Sequence, residues 1–151
     1  VELLVGVDGA DEPRPVAKVA SGGELSRVSL ALHLLTSAGV APTMVFDEVD
    51  AGVGGEAAQS IGRALAQLAR TSGAQVFVVT HLPQVAAFAD HQIVVSKESA
   101  GGRAEAGVVR VEGDDRLEEL SRMLAGMRHS ERARDHAREL LDLARAEMVR
   151  T

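Results

Sequence analysis

The chain has 151 residues, of which 46% are hydrophobic and 25% charged, a composition typical of one soluble globular domain that excludes disordered and fibrous proteins. It has no Cys, which excludes disulfide scaffolds, thiolate zinc sites and cysteine nucleophiles and predicts a cytoplasmic location. The net charge of -6 and the aromatic content of 2% argue against a broad nucleic-acid-binding surface within this chain.

The first residues predict a strand at Glu2 to Val7, followed by a loop at Asp8 to Pro15 that is rich in Gly, Pro and acidic residues. No apolar run is long enough to span a membrane, and the first eight residues lack the pattern of a secretory signal. Because the chain begins at Val1 in an apolar stretch without an initiator Met, we expect it to be a segment of a longer polypeptide.

A helix is predicted from Ser21 to a stop at Gly39 and Pro42. Its apolar residues have the three-to-four spacing of one buried face. The residues of that predicted face are Leu25, Val28, Leu32 and Leu35.

The first turn of this helix, Ser21-Gly22-Gly23-Glu24, allows two interpretations. Ser followed three residues later by Glu is the spacing of a capping box. Two glycines, however, cost helix stability, on the order of 1 kcal/mol each in a helix interior, which makes sense where another group approaches the backbone closely. Amides at a helix N-terminus bind phosphate oxygens, so a capping box and an anion site both remain open.

Two short apolar runs, Thr43 to Asp47 and Gln75 to Thr80, predict buried strands. The segment between them, Glu56 to Thr71, has helical periodicity and is closed by Gly73. A strand, helix and strand in this order predict parallel pairing with a right-handed crossover.

Polar residues follow both predicted strands. Asp47 and Glu48 end the first strand, Asp50 follows in a glycine-rich loop, and Thr80-His81 ends the second. Neighbouring side chains on a strand point to opposite sides, so one acid can hold Mg²⁺ while the next faces a water. The alternatives are a solvated strand end and, for Asp50, a turn residue. Because ligands bind at the carboxyl ends of parallel strands, we expect the acids and His81 to share one crevice.

The remaining chain predicts an antiparallel meander and two helices. The strands are His91 to Lys97 and Gly107 to Val111, joined by a loop at Glu98 to Ala106. Asp115 and Glu118 resemble a capping pair for a helix that runs to Leu124 and ends at Gly126. A last helix starts at Ser130, and its apolar face consists of Ala133, Ala137, Leu140, Leu141, Ala144 and Met148.

One expected element of a nucleotide-hydrolysing site is missing from the sequence. A phosphate loop has the form G-x-x-x-x-G-K-[ST]. The two lysines, Lys18 and Lys97, follow Ala17 and Ser96 rather than Gly. The chain therefore has no phosphate loop.

Taken in order, these motifs resemble the C-terminal lobe of an ABC-type ATPase head. Transporter ATPases have Pro where this chain has Val49, and SMC-type proteins keep a later Leu-Asp that is absent here. The pattern is similar to that of the RecN family of bacterial DNA-repair proteins across nearly the whole chain, although Ala20 stands where many ABC proteins have Leu. The segments that carry the similarity are Val19-Ala20-Ser21-Gly22-Gly23-Glu24-Leu25-Ser26-Arg27, Phe46-Asp47-Glu48-Val49-Asp50-Ala51-Gly52-Val53 and Val79-Thr80-His81-Leu82-Pro83-Gln84-Val85-Ala86.

This resemblance implies an α/β fold of the P-loop NTPase class and a single lobe over residues 1–151. Residues 1–112 would hold parallel strands, flanking helices and the motifs, with a small antiparallel meander, and residues 113–151 would hold the C-terminal helices. We expect the terminal helices to pack beside the sheet.

The resemblance also implies roles in binding and hydrolysing ATP with Mg²⁺. Asp47 would organise Mg²⁺ through water, Glu48 would deprotonate the attacking water, and His81 would contact the terminal phosphate. Ser21, Gly22 and Gly23 would cover the terminal phosphate of an ATP held by a second head. Glu24 would hold the helix start, and Asp50 would reach across the same interface.

The partners implied are an N-terminal lobe that carries the phosphate loop and a coiled coil, and a second head in an ATP-dependent dimer. DNA would be bound by the full-length protein in recombinational repair of double-strand breaks, at the nucleoid in the cytoplasm, and no membrane is implied. In such heads the strand at Gln75 to Thr80 pairs with the missing lobe, so here we expect an open, aggregation-prone edge. The alternatives are another SMC-like ATPase and a non-hydrolysing interaction module.

Overall fold

A computed structural model describes residues 4–5, 14–15, 21–36, 42–100, 103–126 and 130–149. It has an α/β architecture with both parallel and antiparallel strand pairs. In chain order its elements are β1 (Leu4–Val5), β2 (Arg14–Pro15), α1 (Gly22–Leu35), β3 (Thr43–Asp47), α2 (Gly55–Ser72), β4 (Gln75–Val79), α3 (Pro83–Ala86), β5 (Gln92–Ala100), β6 (Arg103–Val111), α4 (Gly113–Ala125) and α5 (Glu131–Val149).

The unit β3, α2 and β4 confirms the predicted strand, helix and parallel strand. The prediction that both strands are buried is wrong, because β3 is buried only at alternate residues and no residue of β4 is fully buried. β3 and β4 pair in parallel, from Thr43 opposite Gln75 to Asp47 opposite Val79. The helix between them ends at Gly73, whose φ of 67° is the left-handed conformation typical of a glycine helix stop. The carboxyl ends of the two strands therefore meet at one edge.

The main core lies between this strand pair and the helices α1 and α2. Met44 and Phe46 of β3 alternate inward and pack with residues of the surrounding elements. That core cluster includes Leu30, Val49, Ala58, Leu65, Leu68 and Val85. Val49, immediately after the acids at the end of β3, is 0% exposed and anchors their loop in the core.

The predicted buried face of α1 is wrong. Leu25 and Leu32 are 42% and 41% exposed, and Leu35 is 81% exposed. The buried residues of α1 are Gly23 and Leu30. Since α1 is apolar on two sides, periodicity cannot identify the side that packs on β3 and α2.

The first described residues form a short antiparallel pair. β1 pairs with β2, with Leu4 opposite Pro15 and Val5 opposite Arg14. The predicted strand from Glu2 to Val7 is described only at its centre. The predicted loop from Asp8 to Pro15 is therefore wrong at its last two residues, and its other residues lie outside the described ones, as does Gly39.

The meander is confirmed as an antiparallel hairpin, but the predicted loop from Glu98 to Ala106 is too long. β5 and β6 remain paired to the last described residues, with Ala100 opposite Arg103. The Glu, Ser and Ala residues of this stretch have low strand propensity, yet they continue a ladder that the apolar pairs nearer its base begin.

The two C-terminal helices pack mainly on other helices. α5 contacts α4 through a cluster that includes Leu120 and Ala137, and contacts α3 and the adjoining residues through Phe88 and Leu140. Arg63 of α2 also forms an ion pair of 2.6 Å with Glu147. No helix in the described residues is long and apolar enough to cross a membrane.

The ends of these helices partly match the predicted signals. Ser130 caps α5 by accepting a hydrogen bond from the N–H of Ala133, and Gly126 ends α4 with a φ of 67°. The predicted capping pair of Asp115 and Glu118 is wrong, because α4 begins at Gly113 and both residues lie inside it.

Candidate functional site

The N-terminus of α1 is closed by the predicted capping box. The side-chain oxygen of Ser21 accepts a hydrogen bond of 3.3 Å from the N–H of Glu24, and the N–H of Ser21 donates one of 2.7 Å to the Glu24 carboxylate. The backbone and then the side-chain hydrogen bonds of Ser21 hold the pKa of Glu24 below its ordinary value. The described contacts of Glu24 thus fix the helix start.

The second turn of α1 is joined to the last residue of β3 and to the loop that follows it. The hydroxyl of Ser26 donates a hydrogen bond of 2.8 Å to the carbonyl oxygen of Asp47. The guanidinium of Arg27 donates to the carbonyl oxygens of Val49, at 3.2 Å, and Ala51, at 2.9 Å. The sequence analysis gave Ser26 and Arg27 no role. A charged residue one helical turn after Gly23 is a signal that could have identified Arg27, whereas the sequence holds no comparable signal for Ser26.

Gly23 lacks a side chain because the chain itself approaches at this position. A Cβ added there would lie 2.7 Å from the carbonyl oxygen of Glu48 and 2.8 Å from the Cβ of Ala51. The two glycines were expected to allow another group close to the backbone. At Gly23 that group is the loop after β3. Gly22 is exposed, and its backbone remains accessible from outside.

Glu48 lies directly beside this helix start. A Cβ added at Gly22 would be 3.3 Å from the Oε2 atom of Glu48. Glu48 has a φ of 54°, a left-handed conformation that is uncommon for residues other than Gly and that clusters at functional sites. Both Glu48 and Asp47 are exposed, so their carboxylates are accessible at the carboxyl end of β3.

Asp50 is placed differently from its two acidic neighbours. Its side chain is only 2% exposed, and its Oδ2 atom accepts a hydrogen bond from the hydroxyl of Thr80. The same oxygen lies 3.8 Å from the Nδ1 atom of His81, whose side chain is 77% exposed.

The carboxyl ends of the two strands meet at one edge, as expected. The pairing of Asp47 with Val79 sets the two following loops side by side, which brings Asp50 to Thr80 and His81. The fixed first turn of α1 adds Gly22 beside Glu48. The order of strand, helix and strand in the sequence predicted that the strand ends would meet. The approach of α1 to them is a tertiary contact, which the spacing of residues along the chain does not reveal.

The residues of the site fit Mg²⁺ only as a partial ligand set. Among the described residues there is no group of three or more His, Asp or Glu side chains that could hold a metal ion. Mg²⁺ bound with nucleotides commonly takes one or two carboxylates, with phosphates and waters as its other ligands. Asp47 is exposed at the strand end and suits that arrangement.

Two cavities lie outside this site. One of about 240 Å³ lies between α2 and α5 and is lined by residues that include Arg63, Phe88 and Glu147. The other, of about 220 Å³, is lined by residues that include His91, Arg110 and Arg116. Neither of these two cavities is lined by residues of the candidate site.

Comparison with known proteins gives a consistent match. The chain is 58% identical over 148 residues to the DNA repair protein RecN of Streptomyces coelicolor, covering 97% of this chain and 26% of that protein. It is 62% identical over 132 residues to RecN of Mycobacterium leprae, covering 87% and 22%. RecN of Vibrio cholerae is 42% identical over 142 residues, covering 93% and 25%.

The chain spans about a quarter of the length of these curated relatives. No protein-family model matches it.

Proposed function

Over the segment that it shares with them, this chain belongs to the family of RecN DNA-repair proteins, and from that premise we propose that it forms the C-terminal half of an ATPase head of the SMC-like ABC type. The head hydrolyses ATP when it is complete and paired with a second head. Its activity serves recombinational repair of DNA double-strand breaks. DNA is contacted by the full-length protein rather than by this acidic segment.

The observation that carries the proposal is the junction between α1 and the loop after β3. It sets Gly22, in the first turn of α1, next to Oε2 of Glu48, and both Glu48 and the neighbouring Asp47 are exposed. Anions bind at helix N-termini, and carboxylates hold Mg²⁺ and accept protons from water. A phosphoryl-transfer site needs both kinds of group, because catalysis there consists mainly of positioning and charge stabilisation.

Each residue has a role in this proposal. Asp47 holds Mg²⁺, which when bound neutralises charge that develops on the transferring phosphoryl group. Glu48 orients a water and accepts its proton, and His81, 77% exposed, offers a hydrogen-bond donor to a terminal phosphate. Ser21 and Gly22 present their hydroxyl and backbone to the nucleotide of the second head.

The surface of the chain supports the need for a second lobe. Val45, Phe77 and Val79 lie on one face of the β3–β4 pair and are 69%, 42% and 60% exposed. In the described residues no strand pairs with the outer edge of either β3 or β4. An N-terminal lobe carrying the phosphate loop that this sequence lacks would cover that face and extend the sheet.

Magnesium-dependent ATP hydrolysis tests the proposal, measured for this chain alone and mixed with a separately produced N-terminal lobe. We expect turnover only in the mixture and loss of turnover with Glu48→Gln while ATP binding is retained. Glu131→Gln, an exposed acid on α5, is the matched control and should keep full activity. A stable complex that binds ATP without hydrolysing it would contradict the proposed ATPase activity and favour an interaction module.

A further inference from the structure

Asp50 is a buried acid that contacts two residues at the end of β4, Thr80 and His81. It follows Glu48 by two residues, and its side chain is 2% exposed. Burying a carboxylate is costly unless hydrogen bonds or charges compensate it. Its partners are therefore part of its role, and both partners come from the loop that follows β4.

Thr80 connects Asp50 to the backbone around His81. The Thr80 hydroxyl donates to the Asp50 carboxylate, and its oxygen accepts a hydrogen bond of 2.9 Å from the N–H of Leu82. A hydroxyl that binds the backbone two residues ahead fixes a tight turn. His81 lies between the two fixed residues, so its backbone is held from both sides.

The His81 ring also faces Asp50. Its Nδ1 atom is 3.8 Å from the same carboxylate oxygen that Thr80 binds, while most of the ring is exposed. This arrangement directs Nδ1 towards the protein and leaves Nε2 for a group outside the chain. A distance of 3.8 Å is too long for a hydrogen bond, so Asp50 acts on the ring as a nearby negative charge, which favours an Nδ1–H directed towards it.

We propose that Asp50 is a positioning residue that holds His81 in place relative to Glu48 through Thr80. The catalytic meaning of this inference rests on the proposed function, whereas the positioning itself does not. Asp50 lies in the loop of Glu48, and Thr80 lies in the loop of His81. One carboxylate therefore sets the spacing between the residue that activates water and the residue that contacts phosphate.

Hydrolysis by the reconstituted head separates this role from a purely structural one. Thr80→Val keeps the shape of the side chain but removes the hydroxyl, and we expect it to lower kcat by roughly tenfold or more with little change in KM. Thr80→Ser, which keeps the hydroxyl, should restore kcat. In a His81→Ala background Thr80→Val should have no further effect, and an equal loss in both backgrounds overturns the inference.

A second measurement uses this chain alone and needs no hydrolysis. Nitrogen-15 spectra of the imidazole rings report ring environment and tautomer, and His81→Gln identifies the His81 signals. We expect Asp50→Asn and Thr80→Val to shift the ring signals of His81 and leave those of His33 in place. Ser29→Ala removes a hydroxyl 3.4 Å from Nδ1 of His33. It should shift the ring signals of His33 and leave those of His81 in place.

The outcomes distinguish the two proposals. Unshifted His81 signals in both Asp50→Asn and Thr80→Val overturn the positioning role. Full turnover in both variants, in a head that Glu48→Gln inactivates, also overturns it and leaves the proposed function standing. A reconstituted head without turnover contradicts the proposed function, and the ring signals then decide whether Asp50 positions His81.

Discussion

Gly23 has the tightest backbone contact of the site, and this contact gives the first prediction. In Gly23→Ala the new Cβ would meet the carbonyl oxygen of Glu48 at 2.7 Å, and a backbone atom must shift to relieve the clash. Overpacking of this kind costs about 1–3 kcal/mol of unfolding free energy, which urea unfolding measures. Gly22→Ala is the control, because its nearest contact is the movable Glu48 side chain at 3.3 Å. Equal losses in both variants would contradict this packing.

The left-handed conformation of Glu48 gives a second prediction. Asn adopts φ values near 54° more readily than Glu does. Glu48→Asn should therefore raise the unfolding free energy by about 0.5–1 kcal/mol while it removes hydrolysis. Asp47→Asn serves as the control for loss of charge, since no such backbone gain is expected there. A destabilised Glu48→Asn would show that the Glu48 side chain stabilises the fold.

At the residue scale the sequence identified which side chains stand at the strand ends but not how each is used. Asp47, Glu48 and Asp50 are equally acidic in the sequence, yet two are exposed and one is buried. Burial of Asp50 depends on Thr80, which is 30 positions further along the chain. No local pattern contains that information.

At the element scale, the capping box of α1 makes its stability depend on pH. The pKa of Glu24 is lowered in the folded chain, so its contribution is present above the unfolded pKa and is lost as the pH falls through the folded value. The pH window therefore begins near the ordinary Glu pKa of about 4.3 and extends below it. Denaturant unfolding at a series of acidic pH values measures the loss.

Glu24→Gln keeps a hydrogen-bond acceptor at this position but cannot titrate. We expect it to reduce the acid sensitivity of unfolding and to leave the helix cap in place. Ser21→Ala should cost about 1 kcal/mol at neutral pH, since it removes the N-cap oxygen. Unchanged acid sensitivity in Glu24→Gln would assign that sensitivity to other carboxylates.

The elements differ in how well the sequence predicts them. The positions and parallel pairing of β3, α2 and β4 are predicted correctly because apolar runs and a closing Gly73 define them locally, although one face of the strand pair is exposed rather than buried. The inward side of α1 is mispredicted because Leu25, Leu32 and Leu35 form an apolar stripe that is exposed in this chain. An apolar helix face in a sequence indicates a surface suited to burial, but it does not show which element or polypeptide covers that surface.

At the scale of the whole molecule, the exposed face of the β3–β4 pair gives a fourth prediction. Val45→Lys places a charge at a position that is 69% exposed, so the chain should fold with little change in stability. It should weaken association with the N-terminal lobe and reduce self-association of the chain alone, since exposed apolar faces and open strand edges drive both. Sedimentation velocity measures the two effects.

Val149→Lys is the matched control, because Val149 is 88% exposed at the end of α5 and lies far along the chain from β3. It should leave both associations unchanged. A chain that remains a monodisperse monomer at high concentration, with Val45 in place, would contradict the expected open edge.

Ser26 and Arg27 of α1 make hydrogen bonds to Asp47 at the end of β3 and to the loop that follows it. These bonds couple the local unfolding of the two segments. A segment that unfolds locally by itself exchanges its amide hydrogens independently. Segments joined by hydrogen bonds unfold together as one cooperative unit. The start of α1 and the loop after β3, which contains Glu48 and Asp50, are therefore expected to share a single free energy of local unfolding. Tightening either one protects the amides of the other, although 21 residues separate Ser26 from Asp47 along the chain.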